Sequence, residues 1–324
     1  MTIYKKTIGL CPACAQDSPA WYDERADGMW LVVDCPGHGR VEERVESDID
    51  FFKWGYEQAY TVPYNHLVVP VTYKCNVKCK YCYSLSNSGL DLPADRSAEE
   101  LNVFFSAFDG NITLMGGEPT VRDDLPRLIE LAKQSPAPRK VSIGTNGQKL
   151  VDLDYVKELR DRGLDFVFLS VNDVDYDGRK IRDNKVIALN NCHEARLPVW
   201  IQQTIEDVSQ LDSLVALLAE YGHTIFSVTI RAVKSYGIRY PEKQVFVSEM
   251  LEHLGLKTLS HKGNSPFNRY VKLERKRTKV CSYVNDIAAS EPVDSRFVTS
   301  DNRRTSLHRG MKVDELLLKG AGVG

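Results

Sequence analysis

The sequence predicts an α/β protein built as a partial barrel of six β/α units, with a small cysteine-bearing N-terminal ribbon and a C-terminal extension. From residue 66 onward, short apolar runs alternate with helical segments, which is typical of a parallel sheet covered by helices. Six units are too few for a closed barrel of eight. The polar and glycine-rich motifs follow directly after the apolar runs, where parallel barrels carry their active sites.

The apolar runs have the length of single strands, and the segments between them have helical periodicity. Strands are predicted at 66–73, 111–115, 140–143, 166–171, 198–204 and 224–231. Helices are predicted at 97–108, 123–133, 153–162, ahead of residue 198 and at 211–221. Ser97 and Glu100 form a capping box, which marks the start of the first of these helices.

Three regions are predicted along the chain: a ribbon at 1–62, the barrel at 63–238 and an extension at 239–324. The ribbon ends in an aromatic segment at 50–56, and a helix near 244–254 opens the extension. The extension contains 16 basic and 10 acidic residues, a net charge of +6, which leaves −8 on the preceding residues.

The overall composition is that of an ordinary globular protein, with 43% hydrophobic and 27% charged residues among 324. Its 42 basic and 44 acidic residues give a net charge of −2, which argues against a general polyanion-binding role. No apolar run reaches the length of a membrane-spanning helix, and the start lacks the apolar core of a signal peptide. We therefore expect a cytoplasmic protein without a membrane partner.

Eight cysteines are present, and in a chain without a secretion signal their close spacing favours metal or redox chemistry over disulfides. The first group is Cys11 and Cys14 and, after a gap of 20 residues, Cys35 and His38. Two tight turns of this kind supply four ligands in a tetrahedron, which predicts structural zinc or a single iron ion. The alternative is three buried thiols and a surface histidine.

The second group is Cys75, Cys79 and Cys82, a C-x3-C-x2-C pattern directly after the first predicted strand. Three thiolates within eight residues can bind three irons of a [4Fe-4S] cluster. No fourth cysteine follows nearby, so one iron would keep an open coordination position.

The second group and three later motifs resemble the radical S-adenosylmethionine (radical SAM) superfamily over residues 66–231. The sequence MGGEPT at 115–120 is similar to the GGEP element of that family, and SIGTNG at 142–147 to its TNG strand end. Ser170 and Asn172 resemble its SxD element, with Asn where the family has Asp.

This resemblance implies that Cys75, Cys79 and Cys82 ligate a [4Fe-4S] cluster whose open iron binds the amino and carboxylate groups of SAM. One electron, from a donor such as flavodoxin or ferredoxin, would then cleave SAM to methionine and a 5′-deoxyadenosyl radical. That radical would abstract a hydrogen atom from a small-molecule substrate.

The resemblance also implies a set of SAM contacts. Gly116 and Gly117 would allow close backbone approach, and Glu118 would accept a hydrogen bond from the SAM ammonium group. The other implied cofactor-binding residues are Tyr81 against adenine, Ser170 and Asn172 at the ribose, Arg231 at the carboxylate, and Pro119, Thr145 and Asn146 within the motifs.

Two basic clusters in the extension, at 272–279 and 303–309, bear on the substrate. One interpretation is an anionic substrate held near the barrel mouth, where arginine suits carboxylate or phosphate. The other is a solvated charged strand and tail. The alternation of Lys272, Glu274 and Lys276 favours an exposed strand face for the first cluster.

Two cysteines remain outside the groups. Cys281 is a candidate catalytic residue that would return a hydrogen atom to a substrate radical, with Tyr283 as a second candidate; the alternative is a buried thiol. Cys192 is assigned to packing. With only these two thiols left, a second cysteine-bound cluster is not expected.

Three hypotheses follow. The first is an enzyme that abstracts hydrogen from a small polar, anionic substrate, leading to decarboxylation, epimerisation, elimination or dehydrogenation. The second is a radical methyl- or alkyltransferase, because the N-terminal cysteine pattern is similar to units in relatives of tetraether lipid synthase and of a pterin methyltransferase. The third is a non-catalytic zinc-ribbon protein that binds nucleic acid through the basic extension.

Overall fold

Two β-sheets organise the part of the chain that the computed structural model describes. The described residues are 2–11, 17–58, 66–79, 82, 84, 86, 94–134, 139–172, 179–233, 244–256 and 268–281. Among these residues, no helix is both long and apolar enough to span a lipid bilayer.

The N-terminal region is a four-stranded antiparallel sheet with its strands in chain order. The strands are β1 (Thr2–Leu10), β2 (Asp17–Arg25), β3 (Gly28–Cys35) and β4 (Gly39–Glu46), followed by helix α1 (Ile49–Gln58). Helix α1 packs its aromatic residues on the sheet: the rings of Tyr22 and Phe52 lie 4.9 Å apart, and those of Tyr22 and Tyr56 5.5 Å. This aromatic cluster gives the ribbon a hydrophobic core of its own.

The main sheet has eight strands among the described residues, in the order β11-β12-β10-β9-β8-β7-β6-β5. The strands are β5 (His66–Thr72), β6 (Asn111–Gly116), β7 (Val141–Thr145), β8 (Phe166–Ser170), β9 (Val199–Ile205), β10 (Ile225–Ala232), β11 (Asn268–Leu273) and β12 (Lys276–Cys281). Neighbours from β5 to β10 are all parallel, as predicted, and β12 continues the parallel arrangement beside β10.

Helices connect the parallel strands, as the alternating pattern predicted. They are α2 (Ala98–Ala107), α3 (Leu125–Lys133), α4 (Leu153–Asp161), α5 (Arg179–Glu194), α6 (Leu211–Tyr221) and, after β10, α7 (Val247–His253). The predicted capping box is confirmed: the Glu100 amide donates to Ser97 Oγ over 3.1 Å, and the Ser97 amide donates to Glu100 Oε2 over 2.7 Å.

The two faces of the main sheet differ in character because successive side chains of a strand alternate between them. On β8, Val167 and Leu169 are fully buried in the large hydrophobic core. Phe168 and Ser170 lie on the opposite face and line a cavity. The helices therefore cover one face, and the other face carries the candidate site.

The cluster at 272–279 is a β-hairpin, in which Lys272 lies exposed on a strand, as expected, whereas Glu274 lies in the turn. Strands β11 and β12 pair antiparallel, with Leu273 opposite Lys276. Glu274 and Arg275 form the turn with φ values of 45° and 66°, the left-handed geometry of a two-residue hairpin turn. Residues beyond 238 thus add two strands to the six predicted for the barrel sheet, because β12 pairs with β10.

The end of β4 in the ribbon contacts the start of helix α7. The buried Glu46 carboxylate accepts hydrogen bonds from the Ser248 hydroxyl and from the Ser47 amide, the latter over 2.9 Å. The Arg44 guanidinium lies 4.8 Å from the centre of the Phe246 ring, a cation–π contact. Desolvation raises the pKa of Glu46, and its hydrogen bonds oppose that rise.

Removal of the Ser97 side chain tests whether the N-cap of α2 stabilises the protein. We expect Ser97→Ala to lower the free energy of unfolding by about 1 kcal/mol, because the Glu100 amide loses its acceptor. Ser106→Ala, at an exposed position in the same helix, is the matched control and should change stability little. Urea unfolding of both variants is the measurement, and equal stabilities would contradict the capping role.

Candidate active site

A cavity opens at the carboxyl ends of the parallel strands, where the sequence placed its motifs. It is lined by Cys75, Cys79, Cys82, Ser84, Met115, Gly116, Gly117, Glu118, Gly144, Thr145, Asn146, Phe168, Ser170, Asn172, Gln202, Thr204, Arg231, Ala232 and Val233. One site therefore combines the cysteine loop (75–82), the GGEP loop (115–120), the TNG turn (145–147) and the ends of β8 to β10. Each motif follows a different strand, so only the parallel sheet brings them together.

The three cysteines after β5 are suited to bind an iron–sulfur cluster. Cys75, Cys79 and Cys82 are all partly exposed at the cavity wall. Burial raises the pKa of the Cys75 thiol to about 11, and the charges of Glu118, Cys79 and Cys82 add to that rise. A cluster that brings positive charge would reverse this penalty and hold the thiols as thiolates, so the residues present fit a [4Fe-4S] group.

The GGEP loop packs directly on the main chain that leads into the cysteine loop. The Gly117 amide donates to Thr72 O over 2.7 Å, and the Glu118 amide donates to Lys74 O over 2.8 Å. A Cβ atom would come within 2.2 Å of Thr72 O at Gly116 and within 2.2 Å of Lys74 O at Gly117. Gly116 also has a φ of +128°, so both glycines are required for this close approach.

Glu118 is buried beneath the cavity and is held by four protein donors. Its Oε1 accepts from the Thr120 amide over 3.1 Å, from Thr120 Oγ1 over 2.6 Å and from Thr145 Oγ1 over 2.7 Å. Its Oε2 accepts from the Asn146 amide over 2.6 Å. Desolvation raises the pKa of Glu118 while these hydrogen bonds oppose the rise. The carboxylate therefore joins the ends of β6 and β7 in addition to facing the cavity, a role that sequence reasoning missed.

The TNG turn is tied to the cysteine loop as well as to Glu118. Asn146 Nδ2 donates to Asn76 Oδ1 over 2.8 Å, and Asn146 Oδ1 accepts from the Gln148 amide over 3.0 Å. Gly147 has a φ of 80°, the left-handed conformation that glycine adopts at low cost. Asn146 thus fixes the position of the cysteine loop relative to β7.

The ends of β8 to β10 supply the remaining predicted cofactor contacts. Ser170 and Asn172 both line the cavity, and Asn172 Oδ1 accepts from the Thr204 amide over 2.9 Å. Arg231 Nη1 donates to Gln202 Oε1 over 3.3 Å. The structure thus brings Ser170, Asn172 and Arg231 to the cavity, while the side-chain carbonyl of Asn172 also joins two strands.

Several cavity residues were not identified from the sequence. Gln202 and Thr204 alternate with buried Ile201 and Ile205 on β9, and Phe168 alternates with Val167 and Leu169 on β8. This two-residue period was already visible in the sequence as the strand pattern. It did not identify the cavity-facing residues, because only the fold shows which face of the sheet the helices cover.

The ribbon contains a second donor set. The ligand atoms of Cys11, Cys35 and His38 lie within 4.8 Å of one another, with both cysteines buried. Cys35 Sγ is 3.6 Å from His38 Nδ1 and Cys11 Sγ is 3.9 Å from it, close to the separation of ligands on one tetrahedral zinc. The hydrogen bonds from His38 and the Gly37 amide lower the pKa of Cys35 to about 6, which favours the thiolate that metals bind. These residues fit zinc.

Some predicted residues have no described environment. Cys14, Tyr81, Tyr283 and the basic cluster at 303–309 lie outside the described residues. Cys281 is the last residue of β12, and its backbone pairs with that of Arg231. Its role as a hydrogen donor stays a prediction. Cys192 is fully buried in the hydrophobic core, and burial raises its pKa to about 12, in agreement with the packing role.

Comparison with known families identifies two regions of the chain. Residues 69–208 match the model of the radical SAM superfamily, and residues 3–47 match the HMPTM N-terminal zinc ribbon domain. The first match covers the cysteine loop, the GGEP loop, the TNG turn and the end of β8. The second covers the ribbon sheet and His38.

Curated relatives share parts of this organisation. A 7,8-dihydro-6-hydroxymethylpterin dimethyltransferase from Methanocaldococcus jannaschii is 27% identical over 225 residues, covering 58% of this chain and 44% of that protein. An Fe-coproporphyrin III synthase from Methanosarcina barkeri is 30% identical over 162 residues, covering 46% of this chain and 40% of that protein. The chain therefore matches less than half the length of these relatives.

Among solved structures, Streptococcus suis SuiB bound to S-adenosylmethionine aligns with a TM-score of 0.48 and 16% identity, over 78% of this chain and 68% of that one. The family match and the three-cysteine loop at the strand ends agree on the cofactors: a [4Fe-4S] cluster and SAM in the domain, and zinc in the ribbon. The chain thus contains a radical SAM superfamily domain at residues 69–208 and a zinc ribbon domain at residues 3–47, and the first of these marks it as an enzyme.

Proposed function

We propose that this enzyme cleaves SAM reductively and uses the resulting radical to abstract a hydrogen atom from a small, polar, anionic substrate. The observation that carries this proposal is the convergence of three cysteines, the GGEP loop and the ends of β8 to β10 on one cavity. Decarboxylation, epimerisation, elimination and dehydrogenation are the outcomes compatible with it. An electron donor of the flavodoxin or ferredoxin class would supply the electron.

The chain's own residues would bind and orient the cofactors. Cys75, Cys79 and Cys82 would hold a [4Fe-4S] cluster, which when bound supplies one electron for the cleavage of SAM to methionine and a 5′-deoxyadenosyl radical. Glu118 Oε2, which accepts from one protein donor among the described residues, has acceptor capacity for the SAM ammonium group. Burial makes that charge-assisted contact stronger than it would be in water.

The strand ends would bind the rest of SAM. Ser170 and Asn172 lie at the end of β8, where the family motif contacts the ribose, and Arg231 at the end of β10 would pair with the carboxylate. Gly116 and Gly117 leave main chain rather than side chains at the cavity wall, which allows close approach of the ligand.

Positive charge on the cavity face supports an anionic substrate. Arg231 lines the cavity, and Thr229, two residues earlier on β10, pairs in register with Lys279. Its neighbours Thr278 and Val280 are buried on the opposite face. We therefore propose a binding role for Lys279 within the cluster at 272–279. Cys281, at the end of the same strand, remains the candidate hydrogen donor.

A second candidate function is radical methyl or alkyl transfer, with SAM as both initiator and donor. Its support is the ribbon, which matches a zinc ribbon domain, together with the similarity to a pterin dimethyltransferase that spans 58% of this chain. The two functions share the cavity and differ in the fate of the SAM methyl group.

Loss of the cluster ligands tests the first function. Anaerobically reconstituted protein with dithionite should form 5′-deoxyadenosine from SAM, and simultaneous substitution of Cys75, Cys79 and Cys82 by Ala should abolish its formation. Cys192→Ala is a control because that thiol lies in the core away from the cavity. Chromatographic assay of 5′-deoxyadenosine is the measurement, and persistent formation in the triple variant would exclude the proposed function.

The contact between the GGEP loop and the cysteine loop provides a separate test. Gly117→Ala places a Cβ where Lys74 O now lies 2.2 Å away, so the loops must separate by about 1 Å. A misplacement of this size should lower the rate of 5′-deoxyadenosine formation about 100-fold. Gly222→Ala, where the new Cβ meets its nearest atom at 3.7 Å, is the control and should keep the wild-type rate. Similar rates in both variants would refute the requirement for close approach.

Isotope labelling distinguishes the two functions. With SAM labelled in its methyl group, hydrogen abstraction alone predicts an unlabelled product and unlabelled 5′-deoxyadenosine. Methyl transfer predicts label in the product, detected by mass spectrometry. Labelled product would replace the first function by the second, and unlabelled product would remove the second.

A further inference from the structure

Two hydrogen-bond donors face sulfur atoms of the cysteine loop. The Val77 amide donates to Cys75 Sγ over 3.4 Å. The hydroxyl oxygen of Ser84, two residues after Cys82, lies 3.6 Å from Cys82 Sγ. The first donor belongs to the main chain and the second to a side chain, so the contact at Cys82 can be removed by a single substitution.

The Ser84 side chain is buried at the wall of the candidate site. It lines the cavity and is 9% exposed. Within the described part of the chain, Cys82 Sγ is the partner of its hydroxyl group. A cysteine that ligates iron is a thiolate without a proton, whereas a serine hydroxyl has one proton to donate. Ser84 is therefore the donor in this contact once Cys82 binds a metal.

A donor to a ligand sulfur affects the two oxidation states of an iron–sulfur cluster unequally. Reduction adds one electron, and part of the added negative charge resides on the sulfur atoms. A hydrogen bond to sulfur is therefore stronger in the reduced state, and it raises the reduction potential for that reason. Because little water reaches Ser84, solvent competes weakly for its proton, and the effect is larger than at an exposed position.

We infer that the Ser84 hydroxyl donates a hydrogen bond to the Cys82 thiolate and thereby raises the reduction potential of the cluster held by the cysteine loop. Ser84 acts through Cys82 and is a positioning residue for the electron-transfer step. One electron passes from the external donor to the cluster, and Ser84 keeps its proton throughout. This inference rests on the proposed function, in which Cys75, Cys79 and Cys82 hold the cluster, and it adds a residue that none of the sequence motifs contains.

The consequence concerns the supply of the electron. SAM cleavage needs the reduced cluster, and a protein donor of fixed potential reduces a larger fraction of the clusters when their potential is higher. For a one-electron couple, a 10-fold change in the ratio of reduced to oxidised cluster corresponds to about 59 mV. Ser84 would therefore decide how much of the enzyme a donor of the flavodoxin or ferredoxin class can activate.

Potentiometry of the reconstituted protein without SAM tests the inference. Samples are poised at defined potentials with redox mediators and dithionite, and the reduced cluster is quantified by EPR spectroscopy. We expect Ser84→Ala to lower the ratio of reduced to oxidised cluster about 10-fold at a given potential, which is a shift of about 59 mV to lower potential. This is the size expected for the loss of one hydrogen bond to a charged group.

Matched variants separate the hydrogen bond from changes in packing. Ser84→Thr keeps the hydroxyl and should stay within about 2-fold of the wild-type ratio. Ser86→Ala removes a buried hydroxyl of the same segment that has no hydrogen-bond partner among the described residues, and it should also keep the wild-type ratio. Ser84→Gly is a second hydroxyl-free variant, which replaces Ser84→Ala if that protein fails to retain its iron and sulfide.

Wild-type potentials in the hydroxyl-free variants would overturn the inference, as would an equal shift in Ser84→Thr or Ser86→Ala. Formation of 5′-deoxyadenosine from SAM by the wild-type protein with dithionite tests the proposed function separately. Cleavage of SAM combined with unchanged potentials would remove the role of Ser84 alone, whereas absence of cleavage would remove the proposed function.

Discussion

The close contact between the end of β6 and the start of the cysteine loop is the constraint on which the site depends. Two main-chain hydrogen bonds, from Gly117 to Thr72 and from Glu118 to Lys74, hold these segments together. They form only because Gly116 and Gly117 have no side chain at positions where a Cβ would collide with carbonyl oxygens. The positions of the three cysteines and of Glu118 relative to each other follow from this contact.

Electrostatics around that contact explain why the cavity suits cationic and zwitterionic ligands. Glu118 is buried with several hydrogen-bond donors, and its charge together with neighbouring thiols raises the pKa of Cys75. An iron–sulfur cluster and the ammonium group of SAM both supply positive charge to this region. Arg231 lines the same cavity. The site therefore combines a buried carboxylate with an arginine guanidinium.

The two faces of the main sheet differ in composition. One face is sealed by helices and consists of aliphatic residues such as Val167, Leu169 and Ile201. The other changes from aromatic to polar along β8, from Phe168 to Ser170, and both of these residues line the cavity. A substrate in this cavity would thus meet apolar surface below and polar groups near the cofactors, a common arrangement for positioning one reactive atom.

Local patterns in the sequence determined most of the fold, and they singled out the cysteines that are the candidate metal ligands. Two-residue and helical periods located the six parallel strands, the Ser97 cap and the helices, because both depend on neighbours along the chain. Cysteine spacing also predicted a ligand group in the ribbon, and the structure brings three of its four members, Cys11, Cys35 and His38, within 4.8 Å of one another. Only the tertiary structure decided that the hairpin at 268–281 joins the sheet, that Glu118 bridges two strand ends, and that Gln202, Thr204 and Phe168 line the cavity. These relations join residues tens to hundreds of positions apart, and the strand pattern alone does not state which of its two faces the helices will cover.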